Sequence, residues 1–171
     1  MAMLVEPGPD DLDALLALSN AHEMEIGRFS KPAFAELVAL SFRTRMTRER
    51  NAFLIALSGR APDDAPNYRW FAARFDRFVY IDRVVVAAHA RKRGLGKLLY
   101  CDVMAAAHRA GYTRICCEVN VDPPNPGSDA FHANLGFEEV GRAFLARRGK
   151  TVRYLMRPLD FDPRNTVRPR P

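Results

Sequence analysis

The chain has 171 residues, a net charge of +6, 48% hydrophobic and 27% charged residues, and three cysteines. This length and composition are typical of one soluble domain that buries about 70% of its unfolded surface. Every apolar run falls short of the roughly 20 residues that span a bilayer, and residues 1–7 lack the pattern of a signal peptide. No membrane partner is therefore expected.

The cysteines indicate a reducing compartment. Cys101, Cys116 and Cys117 are odd in number and lack the Cys-x-x-Cys spacing of redox and metal sites. Reduced thiols in the core of a cytoplasmic protein are the expected state, and a reactive or metal-binding role is the alternative. No metal site is predicted.

Positive charge is concentrated in two clusters. A basic face is typical of nucleic-acid binding, but it equally suits an anionic cofactor. The chain has no recognised nucleic-acid-binding motif, so a nucleic-acid partner is not expected. The second cluster surrounds Gly149 in a predicted hairpin turn, where solvated charge is the favoured interpretation. The clusters are Arg91, Lys92, Arg93 and Arg147, Arg148, Lys150.

The first half of the chain predicts short strands and helices. Residues 3–6 form a strand, and Asp10 or Asp11 begins a helix that runs to about residue 22. A second helix extends from Pro32 to Phe42. The apolar run 51–57 predicts a strand, and 58–67 a loop suited to border a substrate pocket. Residues 68–75 are aromatic and fit a helix or a strand, with buried packing favoured over a pocket wall.

The second half predicts longer elements. Residues 78–86 form a strand, 94–110 an amphipathic helix closed by Gly111, and 115–121 a further strand. Ser128 begins a short helix that ends at Gly136, and 137–146 and 151–157 form a hairpin. The order predicts an α/β fold, with a mixed central sheet flanked by helices in one domain, 1–159. Residues 160–171, rich in proline and arginine, are expected to form a flexible tail.

The junction between the valine-rich strand and the long helix carries the most specific motif. Arg91, Gly94 and Gly96 form Arg-x-x-Gly-x-Gly, followed by Lys97. A helix N-terminus with unpaired N–H groups, small residues and nearby cations is suited to bind a phosphate or pyrophosphate. The spacing does not match a Walker loop, and Leu99 stands where a dinucleotide fingerprint has its third glycine.

A second motif follows the 115–121 strand. His132 lies seven residues after Asn125, and Leu135, Gly136 and Phe137 follow it. The two motifs, in this order, resemble the signatures of the GNAT N-acetyltransferase superfamily. Its members carry Arg/Gln-x-x-Gly-x-Gly/Ala, and an Asn followed by Phe-Tyr-x-x-Leu-Gly-Phe. The resemblance covers about residues 78–158.

The resemblance implies the GNAT acyl-CoA transferase fold and acetyl-CoA as co-substrate. It implies direct transfer of the acetyl group from the thioester to a primary amine, so no nucleophilic residue is required. Backbone groups near Val84 and Val86 are then expected to hold the pantetheine arm, and a free N–H there faces the developing oxyanion. The residues expected to bind the cofactor are Val84, Val86, Arg91, Arg93, Gly94, Gly96, Lys97 and Asn125.

Three residues are candidates for catalytic proton transfer. His132 occupies the position of the family's Tyr, which the resemblance assigns to protonation of the coenzyme A thiolate; the alternative is that it packs beneath the cofactor. Glu118 and Asp82 are candidates for the base that takes the amine's proton. Either carboxylate is alternatively structural, Asp82 beside Arg83 and Glu118 beside Arg114. Alternation predicts one strand face with Tyr80, Asp82, Val84 and Val86, and the other with Ile81, Arg83 and Val85.

The acceptor is not identified by these motifs. A small-molecule amine and a peptide N-terminus are both consistent with them, and the family's frequent dimers make a homodimer an open expectation. An alternative function is a non-catalytic acyl-CoA-binding sensor or partner module of the same fold, which the absent Tyr favours.

Overall fold

The computed structural model describes residues 3–159, so the predicted flexible tail, 160–171, lies outside the described residues. Within them every helix is too short or too polar to span a bilayer. A seven-stranded sheet runs in the order β1-β2-β3-β4-β5-β7-β6. Its strands are β1 (Leu4–Val5), β2 (Arg43–Thr47), β3 (Ala52–Ser58), β4 (Phe78–Val86), β5 (Arg114–Asp122), β6 (Glu138–Leu145) and β7 (Lys150–Pro158). The helices are α1 (Leu12–Asn20), α2 (Glu23–Ile26), α3 (Lys31–Leu40), α4 (Pro66–Ala72), α5 (Leu95–Arg109) and α6 (Pro126–Asn134).

Helices cover both faces of the sheet. Leu54 and other residues of alternate β3 positions pack with Leu99 of α5 in one core cluster. Phe53 and Ile55, which point the other way, pack with Phe34 of α3 and other apolar residues of α1 and α4 in a second cluster. The mixed sheet flanked by helices that the sequence predicts is therefore confirmed.

The centre of the sheet divides between β4 and β5. These two strands are parallel and pair only where Phe78–Tyr80 lie beside Arg114–Cys116. Beyond this short ladder β4 continues to Val86 and β5 to Asp122, so the two strands diverge. A gap therefore opens between them, and we call it the central cleft.

A β-bulge in β4 changes which side chains share a face. Ile55 pairs with Arg83 and Ala56 with Ile81, which leaves Asp82 as the extra residue. Ile81 consequently packs in the α5-side cluster, which Val84 also contacts, whereas Tyr80 belongs to the opposite cluster. The predicted simple alternation along 78–86 is wrong, because it had no means of anticipating the bulge.

Other local expectations need smaller corrections. Strand β2 was not predicted, because its arginines and threonines give the segment a polar appearance. In the structure Arg43 is paired with Asp102 of α5. The aromatic segment contributes helix α4, in which Tyr68 and Phe71 are buried. Helix α6 begins after Asn125, whose side chain accepts a hydrogen bond from the Ser128 backbone N–H, so Ser128 is not its cap.

Candidate active site

The central cleft has a volume of about 660 Å³ and contains most of the residues that the sequence singled out. Of the predicted cofactor-binding residues, only Arg93 is absent from its lining, and the Arg93 side chain is exposed. The predicted residues in the lining are Asp82, Val84, Val86, Arg91, Gly94, Gly96, Lys97, Glu118, Asn125 and His132.

The β4 side of the cleft presents backbone groups. The Ala87 N–H donates to the Asn51 carbonyl at 2.8 Å, and Val86 lies opposite Ala52 in the ladder. This pattern defines Val86 and Ala52 as a non-hydrogen-bonded pair, so the N–H and C=O of Val86 point away from β3. Two residues earlier, Val84 has the same orientation. Both peptide groups are therefore directed towards the gap, where an extended ligand can add to the edge as a strand does.

The end of the cleft beside α5 is suited to bind an anion. Gly94 precedes the helix with φ of +77°, a left-handed conformation that favours glycine, and no side chain caps the N-terminus. The first N–H groups of an α-helix have no partner within the helix, so those of α5 are available to a ligand. The side chains of Arg91, Lys92 and Lys97 line the same region and add positive charge.

Close packing of helices α5 and α6 requires the second glycine. A Cβ on Gly96 would lie 3.2 Å from the Phe131 ring of α6. Phe131 in turn makes an edge contact with Tyr100, one turn further along α5. The Gly-x-Gly motif therefore combines a turn conformation at its first position with a close approach at its second.

His132 is buried and uses both ring nitrogens. Nδ1 lies 2.8 Å from the Ser128 carbonyl oxygen, which can only accept, so Nδ1 carries the proton. Nε2 lies 2.8 Å from the Tyr100 hydroxyl. Burial lowers the pKa of His132, which favours the neutral ring. In this tautomer Tyr100 donates to Nε2, and His132 has no further N–H to offer a ligand.

Glu118 lies at the β5 side of the cleft within a side-chain hydrogen-bond network. Oε1 accepts from Asn67 Nδ2 at 2.9 Å, and Oε2 accepts from the Tyr80 hydroxyl at 2.6 Å. The Tyr154 hydroxyl donates to Asn67 Oδ1 at 3.0 Å and fixes the orientation of that amide. Burial raises the pKa of Glu118 to about 7, although the bonds from Tyr80 and Asn67 oppose the shift. The expected alternative pairing with Arg114 is wrong, since that guanidinium lies over the Phe75 ring.

Asp82 has a different environment. Its Oδ2 lies 2.8 Å from Nε of Arg83, whose side chain is 3% exposed, so the alternative of a local pair is realised. Burial raises the pKa of Asp82, while Arg83 and, more weakly, Arg148 act in the opposite direction. Arg83 also donates to the Ser19 hydroxyl at 2.7 Å and lies over the Phe29 ring. The Asp82 carboxylate is thus already neutralised by a partner that other contacts hold in place.

Similarity to known proteins identifies the family of the chain. A model of the acetyltransferase (GNAT) family matches residues 45–137. The chain belongs to the GNAT acetyltransferase family. No curated protein sequence matches it.

Solved structures of other GNAT proteins share the fold at low sequence identity. The Escherichia coli ribosomal-protein-S18-alanine N-acetyltransferase superposes with a TM-score of 0.69 at 15% identity, over 96% of this chain and 98% of that one. NAA60 of Arabidopsis thaliana, solved with a bisubstrate analogue, gives 0.73 at 15% identity, over 92% and 98%. A phosphinothricin acetyltransferase of Sinorhizobium meliloti, solved with acetyl-CoA, gives 0.67 at 19% identity, over 92% and 88%.

Several residues that line this GNAT site or support it carry no local signal in the sequence. Asn67 was assigned to a loop, and nothing local distinguishes it from other loop residues. Tyr100 lies on the inward face of a helix that the apolar periodicity predicts. A hydroxyl on this otherwise apolar face is the feature that could have identified Tyr100 as part of the site. Arg148 and Lys150 were interpreted as solvated hairpin charge, whereas both line the cleft.

Cys117, the cysteine that lines the cleft of this GNAT site, is poorly suited to act as a nucleophile, because burial raises the pKa of its thiol well above the ordinary value. All three cysteines are free; Cys101 is exposed, contrary to the expected burial, and Cys116 and Cys117 are buried. Burial raises the pKa of the Cys116 thiol to about 12, which disfavours its thiolate. Among residues 3–159, no three His, Cys, Asp or Glu side chains are grouped to hold a metal ion.

Proposed function

We propose that the protein is an acetyl-CoA-dependent N-acetyltransferase that moves the acetyl group directly from the thioester to a primary amine. The acceptor is a small-molecule amine or a peptide N-terminus. The observation that carries this proposal is the continuity of the central cleft. It joins the N-terminus of α5, the backbone edge at Val84 and Val86, and the Glu118 carboxyl in one cavity. Within this cavity, Arg91 Nε donates to the Val86 carbonyl at 3.4 Å.

The residues at the α5 end fit the coenzyme's phosphates. The N–H groups of the first helical turn, Arg91 and Lys97 bind the pyrophosphate, and the peptide groups of Val84 and Val86 hold the pantetheine arm. The bound co-substrate supplies an acetyl group already activated as a thioester. A backbone N–H on the β4 edge stabilises the negative charge that develops on the thioester oxygen, an interaction whose loss typically costs about 3 kcal/mol.

We assign Glu118 as the base that accepts the amine's proton, directly or through water. A carboxyl with a pKa near 7 is a substantial fraction ionised at neutral pH and binds a proton readily. Asp82 is less suited, because Arg83 already neutralises its charge. Asn67 and Tyr80 orient Glu118 and are positioning residues.

His132 is assigned a positioning role towards Tyr100. Its Nε2 accepts a hydrogen bond from the Tyr100 hydroxyl and its Nδ1–H donates to the Ser128 carbonyl, so the neutral ring has no free N–H to offer the departing sulfur. A thiol has a reference pKa of about 8.5, so its thiolate leaves without strong acid assistance and is protonated from solvent.

The same observation favours a second candidate, an acyl-CoA-binding module without catalysis. Calorimetric titration with acetyl-CoA, combined with a thiol-release assay over a panel of primary amines, separates the two functions. The transferase predicts acceptor-dependent release that Glu118→Gln lowers about 100-fold while acetyl-CoA affinity is retained. Acetyl-CoA binding without amine-dependent release would contradict the transferase.

The free cysteines are consistent with the cytoplasmic location that we propose.

A further inference from the structure

The tip of the β6–β7 hairpin brings positive charge into the central cleft. Strands β6 and β7 pair as far as Leu145 and Lys150, and a short 3-10 turn, Ala146–Arg148, connects them with Gly149. Arg148 and Lys150 both line the cleft, whereas Arg147 between the strands does not. Two of the three cations in this sequence cluster are therefore directed into the cavity.

Both side chains reach across to α2. The Lys150 ammonium donates to the Met24 carbonyl. The Arg148 guanidinium lies beside Gly27, where an added Cβ would be 3.8 Å from its Nη2. These contacts place the two cations on the wall formed by the hairpin and α2, and the field of Arg148 reaches Asp82.

The carboxylates of the site that the structure describes are not paired with these two cations. Among the side chains that the structure describes, none of the ion pairs includes Arg148 or Lys150. Asp82 is paired with Arg83, and the two oxygens of Glu118 accept from Asn67 and Tyr80. By contrast, Arg142 and Arg153 of the same hairpin are paired with Glu139 and Asp129.

We propose that the acceptor is a primary amine that also carries a carboxylate, which Arg148 and Lys150 bind while the amine faces Glu118. This inference rests on the proposed transferase function and names its substrate class. The α5 end already provides Arg91, Lys92 and Lys97 for phosphates, so the hairpin cations are available for a second anion. An arginine fork binds a carboxylate through two parallel hydrogen bonds and thereby orients the rest of the molecule.

The test compares amines that differ only in charge. The first set of substrates is glycine, β-alanine, L-aspartate and L-glutamate, each compared with its carboxamide. The second set is tripeptides with glutamate or glutamine at the second position, and it distinguishes peptide acceptors from free amino acids. Thiol release is measured for the wild type, Arg148→Gln, Lys150→Gln and the control Arg147→Gln, whose side chain lies outside the cleft lining. We expect carboxylates to be preferred, and Arg148→Gln to lower kcat/KM for them about tenfold while Arg147→Gln leaves it within about twofold.

A binding measurement makes the result independent of turnover. In the presence of coenzyme A, the N-acetyl derivatives of the same amino acids are titrated against their carboxamides, and the carboxylates are expected to bind more tightly through Arg148. Equal use of carboxylates and carboxamides, or weaker acetyl-CoA binding by Arg148→Gln, would overturn the carboxylate site. Absence of turnover with every amine would contradict the proposed transferase function but not the carboxylate site. The titration with N-acetyl amino acids would then show whether Arg148 binds a carboxylate.

Discussion

The Tyr100 hydroxyl donates to Nε2 of His132 at 2.8 Å, and this bond joins α5 to α6 inside the cleft wall. Tyr100 is fully buried and His132 is 5% exposed, so neither group has water as an alternative partner. A buried donor or acceptor that loses its partner costs about 1–3 kcal/mol. The pair therefore contributes to the relative position of the two helices that carry the glycine motif and Asn125.

A double-mutant cycle measures this bond. Tyr100→Phe and His132→Asn are each expected to lower the free energy of unfolding by about 1–2 kcal/mol, and together by less than their sum. Asparagine retains a donor for the Ser128 carbonyl and loses the nitrogen that faces Tyr100, together with the ring contacts to Phe131 and Phe137, which the cycle cancels. Urea unfolding followed by circular dichroism gives the four values. Strict additivity would show that the two side chains do not interact.

The pH dependence of stability should reveal the buried imidazole. Burial lowers the pKa of His132 below its reference of 6.5, so the folded state holds the ring neutral. As the pH falls below about 6.5 the unfolded chain takes up a proton first, and the free energy of unfolding decreases. The wild type should therefore lose its advantage in free energy of unfolding over His132→Asn as the pH falls through this range. An advantage that does not change with pH would contradict the lowered pKa of His132.

Glu118 should affect stability in the opposite direction. Its pKa rises from 4.5 to about 7 on folding, so the carboxyl is protonated in both states below about pH 4.5. Between pH 4.5 and 7 only the unfolded state ionises fully, which lowers the free energy of unfolding by on the order of 3 kcal/mol. Glu118→Gln removes this pH-dependent loss of stability. The free energy of unfolding of the variant should therefore rise relative to that of the wild type between pH 4.5 and 7. Infrared titration of the carboxyl provides a direct check, and a midpoint near 4.5 would refute the prediction.

Substitution of Gly141 should displace Trp70 and thereby Tyr154, whose hydroxyl orients the Asn67 amide that is bonded to Glu118. A Cβ at this position of β6 would overlap the ring of Trp70, which stacks on Tyr154 with ring centroids 4.2 Å apart. Gly141→Ala is expected to lower the free energy of unfolding by about 1–3 kcal/mol. Trp70 is the only tryptophan in the chain, so its fluorescence reports the displacement directly.

The matched control for Gly141→Ala is the double variant with Trp70→Phe. The smaller ring provides room for the added methyl group, so the second substitution should be less destabilising in the Gly141→Ala background than alone. A lack of such coupling would indicate that the alanine acts elsewhere than at Trp70.

The lining of the cleft predicts which cations bind acetyl-CoA. Arg91→Gln and Lys97→Gln should each raise the dissociation constant about tenfold at low salt, and less at high salt, because the interaction is with phosphate. Arg93→Gln is the control, since its exposed side chain lies outside the lining. Isothermal titration gives the three affinities. An equal loss with Arg93→Gln would support the sequence-based assignment of Arg93 to the cofactor site.

The elements near the two motifs were the most accurately predicted, because their signals are local. Strand β4 has the predicted bounds, and α5 begins directly after Gly94, since hydrophobic periodicity and glycine placement act over a few residues. The bulge at Asp82 and the pairing of β2 depend on neighbouring strands, so a reading of single segments could not supply them.

The sequence by itself determined the segment to which we assign acetyl-CoA binding. This segment is contiguous in the chain: a valine-rich strand is followed by a glycine turn and then by a helix N-terminus with basic residues. Its anion-binding chemistry depends on local backbone geometry. Only the tertiary structure decided the environments of Glu118, His132 and Arg148. Glu118 is hydrogen-bonded to Asn67 and Tyr80 and His132 to Tyr100, all distant in sequence, and the chain folds Arg148 against Gly27. A pKa is a property of the surroundings rather than of the residue alone.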